Sequence, residues 1–386
     1  MLLWLSSRAA LPFLNYAWPR SSEASERLRA LAAEIDAFGP DSVAAALDSE
    51  IASRANAFLT GLEAYRRHPF RRQSPTPPVL WSEGTTRLLD YGGAATGPVV
   101  LVIPSLINRY YVLDILPERS FLGHLASQNL RPLVVDWDAP GEEECRFTLT
   151  DYVVDRLDTA FAEAVRIADG PIGVVGYCMG GLLALAVALR RRAQVGCLGL
   201  LATPWDFHSE RAEQLRLLAT IGERIALICG VQGCVPIELI QGLFFALDPF
   251  TAERKFTRFA AMDPEGEEAR TFVALEDWLN DGVPLAPQVA AECARSWYRD
   301  NEPGRGLWHI GGQPVDPKAL HRPALVVVPR HDRVVPPNSA MPLATDIGTA
   351  TVLRPPLGHV GMMAATRAPA MLWAPIAHWL RTQLAA

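Results

Sequence analysis

Apolar positions change rhythm several times along the chain. Leu28, Leu31, Ile35 and Phe38 recur at intervals of three and four, which is the spacing of one helical face. Gly39-Pro40 stops that helix and a second begins at Asp41, so residues 21–67 read as helices. Residues 68–78 are rich in Pro and Arg and read as a linker. From Val79 onward strands and helices alternate. Short continuous apolar runs occupy 99–104 (VVLVIP), 131–137 (RPLVVDW), 172–177 (IGVVGY) and 195–202, as expected of strands buried on both faces. Helical stretches separate them at 118–128, at 148–168, where Thr148 and Asp151 form a capping-box-like start, and at 180–191. This alternation predicts a doubly wound, mostly parallel sheet.

The strand signal disappears between residues 204 and 306. That block is helical and holds many exposed-looking hydrophobes: Trp205, Phe207, Phe244, Phe245, Phe250, Phe256, Trp278 and Trp297. Strand pattern returns at 324–329 (ALVVVP) and 351–354, and a last helix starts at Pro369. The expected organisation is a helical N-terminal region with its linker (1–78), an α/β core (79–204 and 307–386) and a helical cap inserted into it (205–306). Most of the aromatics are expected to form the cap's own core, with others lining a channel or a dimer contact.

Composition narrows the class. Of 386 residues, 49% are hydrophobic and 20% charged, a balance typical of globular enzymes. A net charge of -6 gives no electrostatic reason to expect nucleic acid. The pairs Arg66-Arg67 and Arg71-Arg72 read as a solvated segment. Six cysteines scattered without a repeating spacing predict reduced thiols in the cytosol rather than a disulfide framework. Cys229 and Cys234 lack a second Cys or His pair, so no zinc site is expected. No apolar run is long enough to cross a bilayer. The opening MLLWLSSRAALPFLNYAW has no basic stretch ahead of it and reads as a segment packing on a partner or on an apolar surface rather than a cleaved signal peptide.

The chemistry concentrates at Gly176-Tyr177-Cys178-Met179-Gly180-Gly181, between the strand at 172–177 and the following helix. This is the setting of a nucleophile elbow, where the turn is so tight that side chains two positions either side of the nucleophile would collide. Cys178 would sit near a helix N-terminus, which favours the reactive thiolate. Plainer readings are a buried cysteine between packing glycines, or the glycine-rich turn of a nucleotide-binding fold. The chain has no G-x-G-x-x-G, Walker or G-x-S-x-G sequence, which favours Cys178 as nucleophile.

In such a fold the acid and then the histidine follow the nucleophile. Asp332 lies just past the strand at 324–329, and His359 lies in the loop before the last helix. His331 is the nearest rival base, but it adjoins the acid in the same loop. The oxyanion hole is expected from the backbone N–H of Met179 and one from loop 104–108, with Ile107 preferred and Leu106 in reserve.

Several segments resemble polyhydroxyalkanoate synthases: Pro104 to Asp114 with Pro117 to Ser120, Asp136-Trp137, Thr148 to Tyr152, Gly176 to Gly181, Thr203 to Phe207, Trp278, Asp332 to Pro336, and Gly358-His359. The resemblance runs from about residue 80 to the C-terminus. Ser105 stands where that family usually has a second proline, and the loop from His359 to Met363 is more apolar than usual.

The resemblance implies an α/β-hydrolase fold and an acyltransferase with a Cys178-His359-Asp332 triad. The implied reaction polymerises an (R)-3-hydroxyacyl-CoA, such as 3-hydroxybutyryl-CoA, into polyhydroxyalkanoate. Coenzyme A is then part of the substrate, and no cofactor or metal is expected. Arg109 reads as a surface residue, with contact to a substrate phosphate as the alternative. The chain's length is similar to that of short synthases that work with a second subunit, which implies a homodimer or such a complex. The implied location is the cytoplasm, at the surface of polyester granules. A thioesterase or polyester depolymerase using the same triad stays open, as does a non-catalytic granule-binding protein.

Overall fold

The computed structural model describes residues 21–73, 77–231, 233–245 and 250–385, together with residues 8, 9 and 11. Most of the apolar opening segment, and the side chains of Phe244 and Phe245, lie outside the described residues. The chain divides into two compact units, one of residues 1–70 with 248–273, the other of 71–247 with 274–386.

In the first unit, α1 (Ser22–Phe38) and α2 (Pro40–Arg67) follow one another as their pattern predicts. Ser21 caps α1 by accepting from the Ala24 N–H at 3.2 Å, and Pro40 takes the first position of α2, where its missing N–H is harmless.

The second unit is built on an eight-stranded sheet. A hairpin of β1 (Val79–Glu83) and β2 (Thr86–Asp90) is followed by β3 (Val99–Ile103). A two-stranded ribbon, β4 (Asp114–Leu116) with β5 (Arg119–Ser120), leads into α3 (Phe121–Ser127). Then come β6 (Arg131–Asp136), α4 (Asp158–Ala168), β7 (Ile172–Tyr177), α5 (Met179–Arg190) and β8 (Val195–Leu201). Sheet order is β1-β2-β6-β3-β7-β8-β11-β12, where β11 is Ala324–Val327 and β12 is Thr351–Leu353. The six strands from β6 to β12 in that order are parallel, and the hairpin joins β6 antiparallel. Every residue of β3 and β7 is buried, which explains their unbroken apolar sequence.

Two local expectations change. The helix expected over 118–128 shortens because residues 119–120 enter β5 and Ser120 caps α3, accepting from the Gly123 N–H at 2.9 Å. The helix expected over 148–168 starts with the Thr148–Asp151 capping box but passes through a π segment, Tyr152–Leu157, before α4.

The inserted block carries α6 (Ala212–Cys229), α7 (Ile237–Phe245), α8 (Thr251–Ala260), α9 (Glu267–Asn280) and α10 (Pro287–Glu292), which continues into a second π segment, Cys293–Arg299. It is not one cap: residues 248–273 group with the N-terminal helices instead of with the rest of 205–306. Gly61 of α2 explains how, because a Cβ there would collide with the Phe256 carbonyl of α8. The Phe256 ring meets Phe58 and Tyr65 edge-on, and Phe259 stacks on Phe272 at 4.3 Å. Trp205, Phe207, Phe256, Trp278 and Trp297 are all buried, as ordinary core, whereas Phe250 is exposed. The chain closes with a β9 (His309–Ile310) and β10 (Gln313–Pro314) hairpin, then β11, α11 (Pro337–Ile347), β12 and α12 (Ala374–Leu384). Among the described residues no helix is long and apolar enough to cross a membrane.

One expectation is overturned outright. Cys145 and Cys234 form a disulfide with Cα atoms 5.6 Å apart, the usual spacing for such a bridge, while the other four cysteines are free. Cys145 sits in a 3₁₀ turn, Glu144–Arg146, anchored by buried Arg156, whose guanidinium pairs with Glu143, Glu144 and Glu83. The two cysteines lie 89 positions apart in the sequence, so no local spacing marks them as a pair. By loop-closure entropy a bridge of that span stabilises the fold by up to about 4–5 kcal/mol. Thermal unfolding with and without a phosphine reductant should show a lower Tm on reduction, with Cys145→Ser already at the low value. Equal melting temperatures, with six thiols titrating in the unreduced protein, would remove the bridge.

Candidate active site

The site begins where β7 turns into α5. A Cβ on Gly176 would collide with the Gly181 backbone, and one on Gly180 with the Ile103 carbonyl. These absent side chains let the start of α5 settle against the ends of β3 and β7. The linking residue, Cys178, is forced to φ 56° and ψ -126°, a backbone region that side chains rarely adopt. Its N–H donates to the Leu201 carbonyl of β8 at 2.9 Å, so the strained residue is held by the sheet. The side chain is half-buried. Met179 opens α5, and its N–H has no carbonyl one turn back to bond.

Asp332 follows β11 and is buried. Its Oδ1 accepts the N–H groups of Val334 and Val335 at 2.9 and 2.8 Å, and its Oδ2 meets His359 Nδ1 at 2.7 Å. With Nδ1 engaged there, the other ring nitrogen is left for a second partner, and Cys178 interacts with the ring. Burial disfavours the imidazolium, but the charge of Cys178, the hydrogen bonds with Asp332 and Cys178, and the charge of Asp332 together push the His359 pKa up to about 10. His331 is exposed, and its backbone N–H bonds to Leu357. The structure therefore brings Cys178, His359 and Asp332 together and leaves His331 outside.

The oxyanion side is the loop after β3. The Ile107 N–H donates to Ser105 Oγ at 3.2 Å. The loop is fixed from below by Trp137, whose Nε1 donates to the Pro104 carbonyl at 3.1 Å. Trp278 Nε1 donates to the Arg109 carbonyl at 2.8 Å. Arg109 is neither a free surface residue nor a ready phosphate contact, since it is paired with Asp138 and, at 3.4 Å, with Asp281.

Two aromatic residues at the site carry no sequence signal of their own. Tyr177 packs its ring against His359 at 5.2 Å and donates its hydroxyl to the His359 carbonyl at 3.3 Å. Tyr298, in the second π segment, is pushed well above the usual tyrosine range by burial and by the charge of Cys178. Its ring meets Phe207 at 5.0 Å. Among the described residues no group of three or more His, Cys, Asp or Glu could hold a metal ion.

Residues 110–370 match the Alpha/beta hydrolase family. The chain belongs to the alpha/beta hydrolase family. Within it, the chain is 27% identical over 311 residues to the poly(3-hydroxyalkanoate) polymerase subunit PhaC of Haloferax mediterranei, covering 78% of this chain and 63% of that protein. The same protein of Haloarcula marismortui is 27% identical, over 78% of this chain and 66% of its own length. That of Allochromatium vinosum is also 27% identical, over 78% of this chain and 87% of its own length. The chain thus spans somewhat less than two thirds of the two haloarchaeal relatives. As in other alpha/beta hydrolases, the elbow, acid and histidine follow in that order along the chain.

The raised His359 pKa has a definite sign. A group raised from 6.5 to about 10 contributes stability that is complete below pH 6.5 and is lost as pH rises through 10. Replacing Cys178 by Ala removes its charge and hydrogen bond, so the His359 pKa should fall. Titration followed by imidazole NMR in the wild type and in Cys178→Ala measures the difference. An unchanged midpoint would mean that the sulfur and the ring do not interact.

Proposed function

We propose that this chain is a polyhydroxyalkanoate synthase that polymerises (R)-3-hydroxyacyl-CoA through an acyl thioester on Cys178. The observation carrying the reading is the His359–Asp332 hydrogen bond beside Cys178 at a strained elbow, in a chain whose relatives are named poly(3-hydroxyalkanoate) polymerase subunits. His359 takes the Cys178 proton, and the sulfur attacks the thioester carbonyl. The oxyanion is received by the Met179 N–H and one from loop 104–108. As the tetrahedral centre collapses, the bond to the coenzyme A sulfur breaks, and that sulfur takes the proton from His359.

One thioester has replaced another, so the exchange is nearly isoenergetic and the acyl group stays activated. A serine ester would lose much of that activation, which accounts for a cysteine at this elbow. A hydroxyl of the growing chain or of a second monomer then attacks. It gives its proton to His359, forms the ester and releases Cys178, which is reprotonated. Asp332 holds the imidazole in orientation throughout. The word "subunit" in the relatives' names supports a second subunit as partner. The acyl-CoA substrate supports a cytoplasmic location at the polyester surface, where the Cys145–Cys234 bridge would face thiol reductants.

The test is coenzyme A release from 3-hydroxybutyryl-CoA, with the acyl product collected and sized. Polymer is expected, whereas free hydroxy acid alone would replace the synthase with a thioesterase. Cys178→Ala and His359→Ala should each lose several orders of magnitude in rate. His331→Ala, exposed and outside the Cys178–His359–Asp332 group, should keep most activity, and a loss confined to it would overturn the choice of base.

A further inference from the structure

A second feature lies at the far end of α5, about 18 Å from Cys178 along the helix axis at 1.5 Å per residue. A cleft of about 620 Å³ opens there between the end of α5 with residues 191–194 and the β9–β10 hairpin. Its lining includes Arg190, Arg191, Arg192, Gln194 and Gln313. A basic helix end is ordinary by itself, because cations complement the helix dipole. The states of these arginines are not ordinary.

Arg191 is neutralised by Asp158, with Nε at 2.7 Å from its Oδ1. Arg192 uses its Nε on the Leu189 carbonyl at 2.9 Å, and Arg322 adds another guanidinium by donating to the Arg192 carbonyl at 3.0 Å. Arg190 has nothing comparable. Its Nε and Nη1 are shut away from solvent without a hydrogen-bond partner among the described residues, and a Cβ on Gly311 would lie 3.4 Å from its Nη1. Other arginines with a buried unpartnered nitrogen, such as Arg72, Arg87, Arg109 and Arg156, each pair with a carboxylate.

A half-buried cation without a counter-charge is unfavourable, and an anion brought to it meets little solvent screening. With Nε and Nη1 closed off, Arg190 presents its charge and its remaining N–H donors to the cleft; such charge-assisted bonds suit phosphate oxygens, and Gln194 and Gln313 add amide donors. Arg192 and Arg322 raise the local charge beyond what a monoanion balances. We propose that this cleft binds a phosphate-bearing small molecule, free or as part of a nucleotide, with Arg190 as its principal partner. The site is separate from the Cys178 site and does not depend on the proposed reaction.

Calorimetric titration of the intact protein at low salt tests this, with sodium phosphate, pyrophosphate, ADP and citrate as separate probes. Pyrophosphate or phosphate binding supports a free-anion site, and binding of ADP alone a nucleotide site. Arg190→Met, which keeps the apolar stem, should weaken the phosphate-bearing probe at least about tenfold. Gln313→Glu, at an exposed position, should weaken it as well by placing a carboxylate in the cleft, and it guards against a folding defect in the first variant. No binding of any phosphate probe, preference for citrate, or wild-type affinity in both variants overturns the proposal.

Discussion

The close approach of α5 to the ends of β3 and β7 is the constraint on which the rest of the site depends. It exists because positions 176 and 180 have no side chains. Once the helix start is seated, residue 178 must bridge strand and helix in little space, and a positive φ follows. Neither the half-buried position of Cys178 nor the open N–H of Met179 then needs a separate explanation. Both come from the same crowding.

The second fixed point is Asp332. Two backbone N–H groups from its own loop hold one carboxylate oxygen and leave the other for His359. A carboxylate so held cannot swing away, and the imidazole it orients is further confined by the Tyr177 ring on one face. Preorganisation of this kind matters because the sulfur, the ring and the acid come from three loops after three different strands. Small shifts in any of them would separate groups that must lie within hydrogen-bond reach. The parallel sheet sets the spacing of those loops, and the buried runs of β3 and β7 make the sheet rigid.

The segments around this centre are less regular. Among the described residues three π segments adjoin helices, at Tyr152–Leu157, Cys293–Arg299 and Pro369–Trp373. The first carries Arg156, the guanidinium that anchors the loop bearing Cys145, and the second carries Trp297 and Tyr298. An extra residue in a helical turn re-aims the side chains that follow it. Here it places a buried cation among three acids in one case and an aromatic residue near Cys178 in the other.

What the sequence determined by itself is what short-range sterics determine. The glycines about Cys178, the Thr148–Asp151 cap, the Gly39-Pro40 stop and the apolar strand runs each act within a few residues, so the fold class and the strand-to-helix turn at Cys178 could be read along the chain. What only the tertiary structure decided depends on groups far apart in sequence. His359 stands apart from His331 because one ring is buried beside the sulfur while the other faces solvent. The Ser105 hydroxyl turns to accept from the Ile107 N–H, a choice made by the folded loop. The Cys145–Cys234 bridge, the grouping of residues 248–273 with the N-terminal helices through Gly61, and the ion pairs of Arg109 left no mark on local pattern. Each is set by which surfaces the folded chain brings together, and periodicity along the sequence carries no information about that choice.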